Sequence, residues 1–93
     1  VHCIDLWGIG QTGKPWLRWL QSRNIAVRRG YDIDNRKVNQ RIHGVQVAHP
    51  AEMPAADGTP FLIAVGADDA RKVIRPQIVS RGYTPGGDAW FVA

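Results

Sequence analysis

Three glycines near the start of the chain have the spacing of a phosphate-binding loop. Gly8, Gly10 and Gly13 form G-x-G-x-x-G directly after the mostly apolar run 1–7, and Asp32 follows Gly13 by 19 positions. In such a loop the first glycine permits a tight turn. The second lets the backbone approach a pyrophosphate, and the third lets the next helix pack close to the sheet. Because N–H groups at a helix start attract anions, the pattern predicts a site for a phosphate-bearing ligand.

An acidic residue after the second strand extends this prediction to a nucleotide-type ligand. Asp32 would accept hydrogen bonds from a ribose diol, whereas Arg36 and Lys37 could instead meet a 2′-phosphate, and the sequence leaves both open. In a second interpretation the glycines serve only the turn, and Asp32 and Asp34 cap the loop that follows the second strand. The predicted ligand-binding residues are Gly8, Ile9, Gly10, Gln11, Thr12, Gly13, Asp32, Asp34 and Gly66.

Other chemistries find less support in the sequence. Gly8, Gly13 and Lys14 fit the nucleotide triphosphatase pattern G-x-x-x-x-G-K-[ST], but Pro15 replaces the Ser or Thr that would reach magnesium, so we reject that class. The three histidines, at positions 2, 43 and 49, lack metal-ligand spacing with cysteine or carboxylates, so no metal site is predicted. No Ser-His-Asp arrangement or carboxylate pair stands out, so no catalytic residue is predicted.

The elements that must position the loop alternate between strand and helix. Apolar runs predict strands at 1–7, 25–31, 45–47, 61–65 and 89–92, and amphipathic spacing predicts helices at 11–23 and from Asp68 or Asp69 to 81. Asn24 and Gly82 are expected to end the helices, and Pro76 to kink the second helix or delay its start. A helical turn is expected at 36–40. The fold predicted is α/β, a Rossmann-like three-layer sandwich with a mostly parallel sheet of about five strands in the order 3-2-1-4-5.

The composition indicates one small globular domain. The 93 residues carry a net charge of +4, and the basic excess lies in residues 1–46, with eight basic and three acidic groups. Because the basic residues are interspersed, they indicate a solvated face rather than a nucleic-acid surface. We find no membrane-spanning segment and no signal peptide, and the single cysteine suits a reducing compartment, so a cytoplasmic location is expected. A chain that begins at Val1 without methionine is interpreted as one domain, 1–93, cut from a larger protein.

Short motifs along the whole chain resemble those of a known domain family. The segments that carry the resemblance are 8–14, 31–34, 42–47, 64–67, 70–71, 74–75, 81–83 and 88–93. With these segments, the chain resembles the Rossmann-like domain appended to the C-terminus of some bacterial family-2 glycosyltransferases. It is similar, more distantly, to the N-terminal domain of sialic-acid-type sugar O-acyltransferases, in which an analogous glycine loop binds a nucleotide-sugar. Gln46 stands where that pattern has proline, and Pro76 interrupts its last helix.

The resemblance implies an accessory, non-catalytic domain of a carbohydrate-transfer protein. The ligand it implies is a nucleotide or nucleotide-sugar, and the partner it implies is the rest of the parent glycosyltransferase. The glycine loop itself leaves NAD(P) as a further candidate cofactor. Two alternatives stay open at this point. One is the NAD(P)-binding half of an oxidoreductase, and the other is a structural module that mediates association and binds no ligand.

Overall fold

The computed structural model describes residues 3–92, so Val1 and His2, with which the first strand was expected to begin, lie outside the described residues. The fold is mixed α/β, with a six-stranded, mostly parallel sheet and two helices. None of the helices in the described part is long and apolar enough to cross a membrane. The elements are β1 (Cys3–Trp7), α1 (Gly13–Ser22), β2 (Ala26–Tyr31), β3 (Arg41–Ile42), β4 (Val45–Ala48), a 3-10 turn (Pro50–Glu52), β5 (Phe61–Ile63), α2 (Asp68–Ser80) and β6 (Ala89–Phe91).

The sheet has the order β3-β4-β2-β1-β5-β6, with β1 between β2 and β5. All neighbouring pairs are parallel except β3 and β4, which are antiparallel. Because parallel strands end at one edge, the loops after β1, β2 and β5 lie side by side. That edge carries the glycine loop, Asp32 and Gly66.

A short strand, β3, follows the segment 36–40, where a helical turn is expected. The backbone of residues 35–39 makes successive turns, and the chain then enters a hairpin of β3 with β4. The two residues that join the hairpin, His43 and Gly44, both have positive φ (48° and 81°), as a type I′ turn requires. The hairpin therefore adds an antiparallel edge strand that the sequence pattern did not indicate.

The two helices pack against opposite faces of the sheet. Successive residues of a strand point to opposite faces, and Leu6 and Trp7 of β1 belong to different apolar clusters. Leu6 packs in the cluster that contains Leu17 of α1, whereas Trp7 packs in the cluster that contains Ile74 of α2. The sheet is thus covered on both sides, which explains why its central strands are largely apolar.

The C-terminal ends of α1 and α2 have the residues and conformations expected from the sequence. Asn24 (φ 59°) and Gly82 (φ 94°) adopt the left-handed conformation directly after the C-caps of α1 and α2. The next N–H groups, of Ile25 and Tyr83, bond back to the carbonyls of Leu20 and Ile78, which completes a Schellman motif at each end.

The start of α2 confirms the expected position at Asp68 or Asp69. The helix begins at Asp68 and runs past Pro76 to Ser80, so the delayed start that Pro76 could have caused is wrong. Pro76 is exposed, so its ring lies on the solvent side of the helix.

One buried carboxylate interrupts the apolar face that packs on α2. Asp5 is only 1% exposed, and both its oxygens accept hydrogen bonds from Arg28 (Nε at 3.1 Å, Nη2 at 2.8 Å). Arg28 also pairs with the exposed Asp57 at 2.8 Å. These bonds raise the pKa of Arg28 above its ordinary value and lower that of Asp57. Asp5 therefore serves the sheet as a paired structural charge, since Arg28 occupies both of its oxygens.

Candidate functional site

A crevice of about 610 Å³ opens at the carboxyl edge of the sheet. It lies between the loops after β1 and β2 on one side and the loop after β5 with the first turns of α2 on the other. This is where the strand connections reverse direction, which is where open parallel sheets bind ligands. Eight of the nine predicted ligand-binding residues line it: Gly8, Gly10, Gln11, Thr12, Gly13, Asp32, Asp34 and Gly66.

The three glycines of the loop serve three different structural purposes. Gly8 has φ +100°, and a Cβ there would lie 2.7 Å from the carbonyl oxygen of Ala64. A Cβ on Gly13 would lie 1.5 Å from the carbonyl oxygen of Gly8, so only glycine lets α1 start this close to β1. A Cβ on Gly10 would meet nothing nearer than the Lys37 Nζ, at 3.4 Å. Gly8 and Gly13 are thus needed by the fold, whereas Gly10 keeps a surface of the crevice open.

The loop presents unpaired N–H groups at the start of α1. Within residues 3–92, the N–H groups of Gly10, Gln11, Thr12 and Gly13 have no hydrogen-bond acceptor, and the first that does, Lys14, bonds to the carbonyl of Gly10. The first turn of α1 holds no acidic residue, and Thr12 makes no side-chain cap. The positive end of the helix dipole therefore faces the crevice, and no acidic residue of α1 itself neutralises it.

Ile9 departs from its predicted role as a ligand-binding residue. Its side chain is fully buried in the α1-side cluster and does not line the crevice. Its N–H donates to Oδ2 of Asp32 at 3.0 Å, so this amide is already occupied. The sequence motif includes Ile9 as a loop residue, but its N–H group bonds to Asp32 and so joins the loop to the end of β2.

Asp32 stands at the crevice with its carboxylate held by the backbone. Oδ2 accepts from Ile9, and Oδ1 accepts from the N–H of Asp34 at 2.9 Å. Each oxygen keeps a second lone pair, so the carboxylate can still accept hydrogen bonds from a ligand hydroxyl. The turn-capping interpretation and the ligand-binding interpretation of Asp32 are therefore compatible.

Asp34 is occupied by its own loop. It accepts from the backbone N–H of Arg36 at 3.0 Å and from the Arg36 Nε and Nη2 at 3.1 and 3.0 Å, and Lys37 Nζ lies 3.5 Å away. The bonds from Arg36 hold the pKa of Asp34 well below its usual range. Arg36 itself is 89% exposed and does not line the crevice. Asp34 thus orders the loop and leaves Lys37 at the crevice wall.

Sequence reasoning did not include several residues that line the crevice. Ile33 and Val73 are 69% and 62% exposed, and both line the crevice, from the β2 loop and from α2 respectively. Large exposed apolar side chains in one cleft indicate an apolar surface for a ligand. Arg71 joins α2 to the loop after β5, because its Nε donates to the Val65 carbonyl at 2.8 Å. Gln77, also on α2, adds a polar group to the rim.

Across residues 3–92, no three His, Cys, Asp or Glu side chains gather closely enough to hold a metal ion. Comparison of the chain with protein-family models, with curated proteins and with solved structures gives no match.

Proposed function

We propose that this chain is a Rossmann-like domain that binds a nucleotide or nucleotide-sugar, as an accessory domain of a bacterial glycosyltransferase. The observation that carries the binding proposal is the row of four unpaired N–H groups, from Gly10 to Gly13, beside the Asp32 carboxylate. A phosphate would accept from the amides, and a ribose diol would donate to Asp32.

The crevice combines the two kinds of surface that such a ligand needs. The glycine loop supplies N–H donors and the helix dipole, whereas Ile33 and Val73 supply exposed apolar side chains in the same crevice. A nucleotide has a charged phosphate and a base with flat apolar faces. The lining of the crevice therefore supports this class of ligand.

The sheet order supports the finer fold assignment. The five parallel strands lie in the order β4-β2-β1-β5-β6, with α1 and α2 on opposite faces. Counted along the chain without the β3 edge strand, this is the order 3-2-1-4-5 of a Rossmann-like sandwich. The parent assignment depends on the resemblance alone, and the flanking gene sequence tests it, since a glycosyltransferase catalytic domain is expected in the same polypeptide.

Titration of the ¹⁵N-labelled 93-residue chain tests the binding proposal. UDP-glucose, NAD and NADP are added separately, and the amide signals of Gly10 and Gly13 are followed. We expect saturating shifts at these amides with at least one ligand. Flat titrations at millimolar concentrations of all three would refute the proposal and favour a module that binds no ligand.

A matched pair of glycine variants separates binding from folding. Gly10→Ala places a methyl group on the open surface of the loop, so we expect affinity to fall by about tenfold or more, the equivalent of one charge-assisted hydrogen bond. Gly86→Ala makes the same change before β6, at the opposite edge of the sheet, and should leave affinity unchanged. Equal affinities for the two variants would contradict the role given to Gly10.

A further inference from the structure

The side chain of Lys37 reaches from the loop after β2 onto the glycine loop. Its Nζ lies 3.4 Å from the position that a Cβ on Gly10 would take. The side chain is 27% exposed and lines the crevice. An ammonium group with three donors thus stands beside the glycine loop at Gly10.

The charges around Lys37 leave its ammonium available to a ligand. Its nearest carboxylate is Asp34, whose Oδ2 lies 3.5 Å from Nζ. Asp34 makes shorter bonds with the guanidinium of Arg36, at 3.0 and 3.1 Å, so it does not depend on Lys37 alone for its counter-charge. The remaining carboxylate at this wall, Asp32, is held by the N–H groups of Ile9 and Asp34.

We propose that Lys37 determines specificity at this site by contacting the phosphates of a nucleoside diphosphate group, an inference that rests on the proposed function. Nζ stands against Gly10, the point at which the backbone leaves room for a pyrophosphate. Phosphate oxygens at that point accept from the loop amides on one side and from Lys37 on the other. A 2′-phosphate would instead lie at the ribose, next to the Asp32 carboxylate, where like charges repel. The site therefore favours a ribose with free hydroxyls and a diphosphate chain.

Binding of small probe ligands tests this role. Calorimetric titrations compare ADP, UDP, adenosine, uridine and adenosine 2′,5′-bisphosphate on the wild-type chain, Lys37→Gln and the control Lys72→Gln. Lys72 lies on α2, is exposed and does not line the crevice. We expect Lys37→Gln to weaken the better-bound nucleoside diphosphate by about tenfold or more, because a charge-assisted hydrogen bond is lost. Affinity for the corresponding nucleoside should stay unchanged, and Lys72→Gln should match the wild type.

The outcomes separate this inference from the proposed function. If the wild-type chain and Lys37→Gln bind a nucleoside diphosphate with equal affinity, the inference alone is refuted. A loss confined to adenosine 2′,5′-bisphosphate would also refute it, because Lys37 would then serve a 2′-phosphate. A wild-type chain that binds none of the probes refutes the proposed function, and the inference with it. Added salt gives an independent readout. Because salt screens the charge of Lys37, it should reduce the difference in diphosphate affinity between the wild type and Lys37→Gln.

Discussion

Alanine at Gly13 should destabilise the protein far more than alanine at Gly10, although both belong to one motif. A Cβ on Gly13 would lie 1.5 Å from the Gly8 carbonyl oxygen, whereas Cβ contacts in proteins stay beyond 3.0 Å. Overpacking costs roughly 1–3 kcal/mol and sometimes more, and because both sides of this contact are backbone we expect about 3 kcal/mol. At Gly10 the methyl group meets only the end of the Lys37 side chain, so the change should lie between zero and a gain of about 1 kcal/mol.

Urea unfolding followed by far-UV circular dichroism measures this difference. With a slope of about 1 kcal/mol per molar urea, the Gly13→Ala midpoint should fall by about 3 M and the Gly10→Ala midpoint should hold or rise. A domain of this size has a free energy of unfolding of roughly 5–14 kcal/mol, so Gly13→Ala should still fold.

A third glycine separates steric clash from backbone strain. Gly86 has φ +84° and no atom within 4 Å of a Cβ, so Gly86→Ala adds strain without a clash, and its cost should be about 1–2 kcal/mol. The reasoning is refuted if Gly13→Ala unfolds at the same urea concentration as Gly86→Ala. It is also refuted if Gly10→Ala loses as much stability as Gly13→Ala.

Two further predictions concern the buried polar groups on the α2 face. Arg28→Met leaves the carboxylate of Asp5 buried and unpaired and should cost about 3–5 kcal/mol, whereas Asp5→Asn leaves a guanidinium that keeps Asp57 and is 30% exposed, and should cost less than half of that. Urea midpoints of the two variants check this order, and a larger loss for Asp5→Asn would contradict it. Burial raises the pKa of Tyr83 to about 12, so the stability that its neutral form contributes should be complete below pH 10 and be lost as the pH rises to 12. Tyr83→Phe should flatten that alkaline decline in the urea midpoint, and an unchanged decline would show that other groups cause it.

Local chemistry made much of the fold predictable. The glycine spacing located the loop at the end of β1, and Asn24 and Gly82 located the helix ends, because each feature depends on a few neighbouring residues. Strand β3 was missed because its two residues, Arg41 and Ile42, are too few to show alternation. The continuation of α2 through Pro76 depends on which side of the helix faces solvent, which the sequence does not state.

The candidate site was predictable only in its first half. The residues of the glycine loop and Asp32 were found because their spacing carries the chemistry. The apolar lining was missed because Ile33 and Val73 are far apart in sequence, and only the tertiary fold brings both to one crevice. The reach of Lys37 to Gly10 depends on the turns after Asp34, which that carboxylate organises through its bonds with Arg36.

The pairing of β1 with β2 has a consequence for changes in chain length. Ile4 pairs with Val27, but Asp5 pairs with Arg29, so Arg28 is an extra residue that forms a bulge. Because a strand alternates its faces with every residue, one deletion elsewhere in β2 would move Gly30 and Tyr31 to the wrong sides of the sheet. Loss of one arginine at 28–29 would instead leave a regular strand with both faces kept. Chains of this fold can therefore differ by one residue at this point of β2 without rebuilding the core. Asp5, whose two oxygens bond to Arg28, must then be replaced as well.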